Sequence, residues 1–395
     1  MLQQAGWILQ YFLLGYITLQ VMYLLFFSIA GKLGRKKTYP AATALRRIRI
    51  FIPGYKEDSV IIATAKNAIE QDYPSDKYEV VIIADSFSQG TLDTLRSLPI
   101  KIVEVSFDKS TKGKALQKAV EATQQDPVDI LLILDADNHM APGFLHAVNN
   151  AFEKGYEVVQ GHRTAKNFQT PFALLDACTE EINNHIFRRG HVAVGLPSAL
   201  IGSGMAFNWA LFVSLLQNIG DTSGEDKEIE FRVVRQRKDV AFLDGEYVYD
   251  EKVAKTDVFS KQRSRWLATQ VEFFEKYFME GWVQLFRGNI AFFNKVFQTY
   301  LLPRVLLAAL CTAWLVWVAL LFPGLFIFSL IIYAALIIAL LMGIPAKWYN
   351  KQLLMAFLQI PGALVSILKA MLHIGKARKQ FIHTPHGEDE ANKTH

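Results

Sequence analysis

Two stretches of this chain go without a charged side chain for longer than a bilayer is thick. One runs from Leu2 to Gly31 and the other from Val305 to Ala346. A helix crosses the hydrocarbon core in roughly 20 residues. Backbone exposed to lipid must satisfy its own hydrogen bonds, which restricts both stretches to helix. The second stretch is about twice the crossing length and is broken near its middle by Pro323-Gly324, the pattern of a tight hairpin of two spans. With 51% hydrophobic residues and a mean hydropathy of +0.18, the chain is more apolar than a soluble enzyme of its length needs to be. An integral membrane protein is expected.

The first stretch has no basic leading region and no small-x-small site before the basic run, and its apolar part is too long for a signal peptide. A retained anchor is expected. Lys32, Arg35, Lys36 and Lys37 follow it, Arg304 precedes the hairpin, and Lys347 and Lys351 follow the hairpin. The positive-inside rule then puts the amino terminus outside and the large middle region in the cytoplasm, as in a multi-pass protein of the cell inner membrane. The net charge is +5, gathered beside the spans, so the lipid bilayer is an expected partner and nucleic acid is not. Cys178 and Cys311 offer neither a disulfide framework nor metal spacing, in keeping with a reducing compartment. The segment Gln352–His373 is expected to lie along the cytoplasmic face. It is broken by Pro361-Gly362, and Gln352, Gln359, Ser366, Lys369 and His373 draw a narrow polar stripe; the alternative is a fourth span.

Between the spans the pattern changes. A strand over Ile48–Ile52 ends at Pro53-Gly54-Tyr55-Lys56-Glu57-Asp58, and a helical pattern runs to Ile69. A second strand over Glu79–Ala84 ends at Asp85, a third covers Ile100–Val105, and Lys112-Gly113-Lys114 leads a helix to Thr123. Beyond Pro142 a further helix is expected from about Phe172 to Arg188. Such alternation implies an α/β fold, a Rossmann-like, mostly parallel sheet with helices on both faces. The expected organisation is an anchor and basic flank over 1–37, a cytoplasmic domain over 38–260, an amphipathic interface helix over 261–300, a transmembrane hairpin over 301–346, and an interfacial helix with a basic tail over 347–395.

The main chemical signal sits on Asp129–His139. Ile130–Leu134 reads as a strand buried on both faces, and it stops at Asp135-Ala136-Asp137 before Pro142-Gly143. Residues two apart project the same way, so the two carboxylates converge at the carboxyl edge of the sheet, where open α/β folds bind ligands. Two hard oxygens there suit Mg2+ or Mn2+, completed by water and a substrate diphosphate. An isolated Asp-x-Asp equally fits a solvated turn capping the next helix.

No G-x-G-x-x-G follows the first strand, and Lys112-Gly113-Lys114 lacks the upstream glycine of a Walker loop. Lys112 and Lys114 suit point charges beside a diphosphate, or simply a basic helix start. Gly202-Ser203-Gly204 permits close backbone approach to a ligand, or a bulge. Glu225 and Asp226 head a helix, where carboxylates also complement the dipole. Gln262, Arg265 and Trp266 share a helix face, and together they suit a diphosphate and a sugar ring. That helix continues with Val271, Phe274, Phe278, Trp282 and Leu285 on one side and Glu272, Lys276 and Glu280 on the other, as on a membrane surface.

Asp-Ala-Asp, Gly-Glu-Asp and Gln-x-x-Arg-Trp, in that order, make the chain resemble the family 2 glycosyltransferases, above all the membrane-embedded group of cellulose, chitin and hyaluronan synthases. The resemblance spans about residues 45–270. It implies a GT-A fold and inverting transfer from a nucleotide-sugar donor, a UDP-sugar, to a glycan or lipid-linked acceptor in surface polysaccharide synthesis. It implies metal on Asp135 and Asp137, the base on Asp226 within Glu225-Asp226, and donor contacts from Pro53, Tyr55, Glu57, Asp85, Lys112, Lys114 and Asp135. Gln262, Arg265 and Trp266, with the Gly202-Ser203-Gly204 turn, would meet the diphosphate and the acceptor. The chain departs from the family in having Ala84-Asp85 for paired aspartates, Gln89 for a further aspartate, and Gly224 where the base motif begins with Thr.

The chemistry agrees with the resemblance. Displacement at an anomeric carbon needs one base and stabilisation of the departing diphosphate, without the second carboxylate of a glycoside hydrolase. Two other classes compete. A nucleotide-sugar-sensing binding protein has no need of intact Asp135, Asp137 and Asp226. A transporter or export-complex subunit would want ionisable residues between Val305 and Ala346, and there are none. The Gln-x-x-Arg-Trp motif favours repeated addition, whereas so few spans favour single addition unless other synthesis or export subunits complete a channel.

Overall fold

The computed structural model describes residues 2–362 except 169, 221, 223 and 252–255, together with 364, 365 and 368; over 2–7 and 256–265 it describes the backbone alone. Its strands are β1 (Ile48–Tyr55), β2 (Tyr78–Asp85), β3 (Lys101–Val105), β4 (Ile130–Ile133), β5 (His139–Met140), β6 (Val158–Ala165), β7 (Met205–Asn208) and β8 (Ala241–Asp250). They form one sheet in the order β3-β2-β1-β4-β7-β6-β8-β5. The first four strands are mutually parallel, as are β6 and β8, while β7 and β5 run antiparallel to their neighbours. The fold is the expected mostly parallel α/β sheet.

The helices in chain order are α1 (Leu2–Leu33), α2 (Ile61–Ile69), α3 (Gln89–Arg96), α4 (Lys112–Thr123), α5 (Phe144–Glu153), α6 (Pro171–Asn183), α7 (His191–Ala193), α8 (Trp209–Leu216), α9 (Glu225–Arg235), α10 (Thr256–Phe286), α11 (Ile290–Thr299), α12 (Arg304–Leu321), α13 (Phe326–Met342) and α14 (Lys351–Phe357). Strand period divides the core in two. Ile130 and Leu132 of β4 join α2 and α5 on one face, and Leu131 and Ile133 join α4, α8 and α9 on the other. A central strand with both faces covered is what the unbroken apolar run of β4 requires.

The interface helix expected over 261–300 is two helices, α10 and α11, and two other departures from expectation have a clear local reason. β1 runs through Pro53 to Tyr55, although proline lacks a ladder donor. The Phe51 carbonyl accepts from Leu134 N (3.0 Å), and the β1–β4 ladder ends at Phe51 and Ile133. Two residues on, the missing N–H of Pro53 faces the same side beyond the end of the ladder, so no bond is lost. The helix expected up to Arg188 instead passes from α6 into a π-helical turn, Asn184–Gly190. There α1 crosses so closely that a Cβ on Gly190 would run into the Phe27 carbonyl, and one on Gly31 would lie 2.7 Å from His185 O. The widened turn lets His185 Nε2 meet Ser28 O (2.8 Å) and His191 stack on Phe27, centroids 3.8 Å apart.

Among the described residues three helices are long and apolar enough to cross a membrane, Ile8–Leu33, Arg304–Leu321 and Pro323–Met342. Ser28 Oγ donates to Ala339 O (2.8 Å) between α1 and α13, and Trp314 Nε1 donates to Ser329 Oγ (3.0 Å) within the hairpin. Their outer faces leave Ile8, Phe12, Leu320, Ile327 and Ile331 largely exposed, a surface suited to lipid rather than water. In α10 the faces are arranged differently from a simple amphipathic helix. Lys276 Nζ reaches Glu228 (2.6 Å) and Glu280 holds Arg235 through two 2.7 Å bonds, so these polar residues meet α9. Phe273 and Tyr277 are buried against Phe231 and Phe292, while Met279, Trp282, Val283 and Phe286 leave exposed apolar surface. Helix α14 lies against α6 with Leu353 and Ala356 buried; Ser366, Lys369, His373 and the basic tail lie outside the described residues.

Candidate active site

β4 delivers Asp135 to the carboxyl edge of the sheet, and the chain turns at once, Asn138 N donating to Asp135 O (3.1 Å). Ser203, fully buried, holds this turn from β7's side by accepting from Asp135 N (2.9 Å). The Asn138 amide takes its orientation from its partners. Its oxygen accepts from Ser203 Oγ (3.2 Å), while its nitrogen donates to Asp137 Oδ1 (3.0 Å) and Asp250 Oδ1 (3.2 Å). Gln160 completes the support, donating to Ser203 O (2.9 Å) and accepting from Ile201 N (3.1 Å). Gly202 and Gly204 have φ of +85° and +62°, backbone that glycine adopts without strain.

Lys112 is the hub of the cluster. From the first turn of α4 its ammonium bonds Asp135, donates to Gly202 O (2.6 Å) and lies 4.0 Å from Glu225. A Cβ built on Gly202 would sit 3.5 Å from Asp226 Oδ2, so the second carboxylate of α9 borders the same space. Residues from β4, α4, α9 and the turn before β7 thus converge. Burial opposes the Lys112 charge, but the carboxylates of Asp135 and Glu225 outweigh it and hold the pKa above its ordinary value. Burial, reinforced by the Asp226 charge and resisted by Lys112, pushes Glu225 up to about 7. Arg163 is buried beside Glu180 (2.9 Å) and Asp250 (3.8 Å), which hold its guanidinium charged against burial.

The residues at the ends of β1 and β2 form a second group along the same edge. Tyr55 and Asp85 are register partners at the ends of β1 and β2, and Lys56 N donates to Asp85 O (3.0 Å). Lys56 and Ser86, one residue past each strand, both have positive φ, 56° and 62°. Asp85 is buried and accepts from Ser86 Oγ (2.9 Å); Glu57 is buried in the loop that follows β1, the strand that carries Pro53 and Tyr55. Lys114 turns away from Lys112, its ammonium donating to Lys109 O (3.3 Å). Trp266 is 40% exposed on α10, and the side chains of Gln262 and Arg265 lie outside the described residues.

The described residues contain no group of three His, Cys, Asp or Glu able to hold a metal. The donor set at the turn is a pair of carboxylates, which fits a hard divalent ion that takes its remaining ligands from water and substrate. Sequence reasoning missed Asn138, Gln160, Arg163 and Asp250. Polar residues in the fully buried run Val158–Ala165 were the available signal, because a buried polar side chain must have a partner.

Residues 46–269, more than half of the chain, match the glycosyltransferase-like family 2. The chain belongs to that family. Among its relatives, the β-monoglucosyldiacylglycerol synthase of Trichormus variabilis is 26% identical over 227 residues, covering 55% of this chain and 48% of the relative. The probable glycosyltransferase YdaM of Bacillus subtilis is 24% identical, covering 56% and 54%. The chain therefore spans about half the length of the curated relatives it matches. Mannosyltransferase PcManGT from Pyrobaculum calidifontis, solved in complex with GDP-Man and Mn2+, aligns over 93% of this chain and 98% of its own with a TM-score of 0.57 and 17% identity. That likeness bears on the fold. In this member of the family the departure at Gly224 has a local reason: a Cβ there would run into Thr269 Cγ2 of α10.

Proposed function

We propose that this chain is a membrane-bound inverting glycosyltransferase that moves a sugar from a nucleoside-diphosphate sugar, a UDP-sugar, to a lipid-linked or glycan acceptor at the membrane surface. The observation that carries the reading is the convergence of Asp135, Lys112, Gly202, Glu225 and Asp226 at the carboxyl edge of the sheet. In this reading Asp226 takes the proton of the acceptor hydroxyl as it attacks the anomeric carbon. Lys112 stabilises the charge that develops on the departing diphosphate. Asp135 and Asp137 would hold Mg2+ or Mn2+, which when bound neutralises diphosphate charge. Pro53, Tyr55, Glu57 and Asp85 line the nucleotide side, and Gln262, Arg265 and Trp266 serve the diphosphate and acceptor. The glucosyldiacylglycerol synthase relatives and the three apolar helices support a lipid acceptor and single addition.

The test is release of nucleoside diphosphate by the purified chain in lipid nanodiscs, offered a panel of nucleotide sugars, with mass spectrometry of the product. Asp137→Asn keeps the side-chain shape and loses the charge, so transfer is abolished while folding and insertion persist. Transfer that survives Asp137→Asn and excess EDTA removes the cation from the scheme. Donor binding without turnover across the whole panel would instead favour a nucleotide-sugar sensor.

A further inference from the structure

Between the globular domain and the ends of α1 and α13 nearest to it lies a cavity of about 340 Å³, to which the transfer scheme assigns nothing. Strand alternation separates it from the candidate active site. Tyr247 and Tyr249 of β8 line the cavity, their rings stacked 6.1 Å apart. Val248 instead abuts Gly204, and Asp250 reaches Asn138 and Arg163. The opposite wall carries Trp348 and Phe168, packed edge to face at 5.0 Å.

The charges around this cavity do not balance. Lys32 from the end of α1, Arg189 from the π-helical turn and Lys347 after α13 all line it. Arg189 is taken by Asp244 through bonds of 2.7 and 2.6 Å. Glu181, the acidic residue of the lining, is taken by His162 (3.1 Å) and Thr164 Oγ1 (2.7 Å). Lys32 and Lys347 are left exposed at the rim, with no carboxylate partner among the described residues. A cavity with two spare ammonium groups, tyrosine hydroxyls and an aromatic wall is built for an anion with an apolar extension. Its size is at the low end for small-ligand sites, and aromatic and basic residues at the end of a span belong at headgroup height.

We propose that this cavity binds the phosphate headgroup of an anionic bilayer lipid, with Lys32 and Lys347 pairing the phosphate and Trp348 bordering the acyl chains. The inference rests on α1 and α13 crossing a bilayer and does not rest on the transfer reaction. It is tested by native mass spectrometry of the full chain released from nanodiscs of equal phosphatidylglycerol and phosphatidylcholine, with no donor present. The wild-type chain retains phosphatidylglycerol preferentially, and Lys32→Ala/Lys347→Ala lowers that retention about tenfold. Arg35→Ala/Lys351→Ala removes two cations outside the cavity and leaves retention within about twofold of wild type on the same scale. Equal loss in both double variants would mean general attraction to a basic surface and overturns the site, as does unchanged retention in the first. Millimolar glycerol 3-phosphate should fail to displace the lipid. If it displaces the lipid fully, the cavity takes a soluble phosphate and the lipid assignment falls. Because no turnover is read, failure of the transferase assay would leave this result standing.

Discussion

Glu225 and Glu230 share α9, both are buried, and their carboxyl groups are driven in opposite directions. Burial raises both. At Glu230 it is outweighed by Lys227 at 2.9 Å and Lys295 at 2.8 Å, with Leu200 N donating at 3.0 Å, and the pKa falls to about 2. Glu225 has one cation at 4.0 Å, already bonded to Asp135, and the Asp226 charge beside it, so it rises to about 7. Residue type, helix and burial are matched, and the number of counter-charges decides. A buried charge with full compensation fastens α9 to α11. In the proposed function, an acidic surplus around a single lysine is the place prepared for charge that arrives with a ligand.

The largest expected effect lies on the surplus side. Asp226→Asn lowers turnover by about 10²–10⁴-fold, as expected for loss of a general base, while donor affinity by calorimetry stays near wild type. A parallel fall in affinity would move Asp226 to the nucleotide. The same change removes a like charge from beside Glu225, whose titration shifts downward in the variant.

Next comes the compensated side. Lys295→Met leaves Glu230 with a single ammonium and costs about 3 kcal/mol in detergent unfolding. Glu230→Gln/Lys295→Met recovers part of that loss, and a neutral single variant would break the comparison.

The pH profiles of the two glutamates sharpen it further. The folded pKa of Glu225, about 7, lies above its ordinary 4.5. The folded chain therefore holds the extra proton, and the stability present below pH 4.5 is lost as the pH rises through 7. Glu225→Gln then gains on the order of 2–3 kcal/mol over wild type at alkaline pH and nothing in mild acid. Glu230→Gln behaves oppositely. The native carboxylate stabilises above its ordinary 4.5 and loses that contribution as the pH falls toward 2, so the variant is weaker at neutrality. Melting curves across pH for both variants check the signs. The smallest effect is at the turn itself. Ser203→Ala strands the Asp135 N–H and costs about 1–2 kcal/mol, with a modest fall in turnover seen beside the melting curve.

The α/β alternation, the apolar helices and the Asp135–Asp137 turn were legible because each is local. Periodicity and the end of an apolar run are properties of neighbours in the chain. The Gln262, Arg265 and Trp266 face was legible in the same way, as helical spacing, though only Trp266 of the three has a described side chain. Ser203, Asn138 and Gln160 were not legible as a support, because their contacts exist only once antiparallel β7 lies between β4 and β6. Nor was the split between Lys112 and Lys114, which share a basic motif but leave α4 in different directions.

The sequence by itself determined the parallel half of the sheet with its helices and the segments that suit lipid, and it determined that two carboxylates follow the central strand; the strands from β5 to β8 were not read from it. Hydrophobic burial follows from side-chain type and period alone. Tertiary structure decided which of the acidic residues are neutralised, which polar face of α10 meets α9 rather than solvent, and that a basic cavity opens beneath α1 and α13. Electrostatic energy depends on the distance between charges and on the medium around them. For Glu225 and Glu230 those distances run to Lys112 and Lys295, remote in the chain and brought close only by the fold.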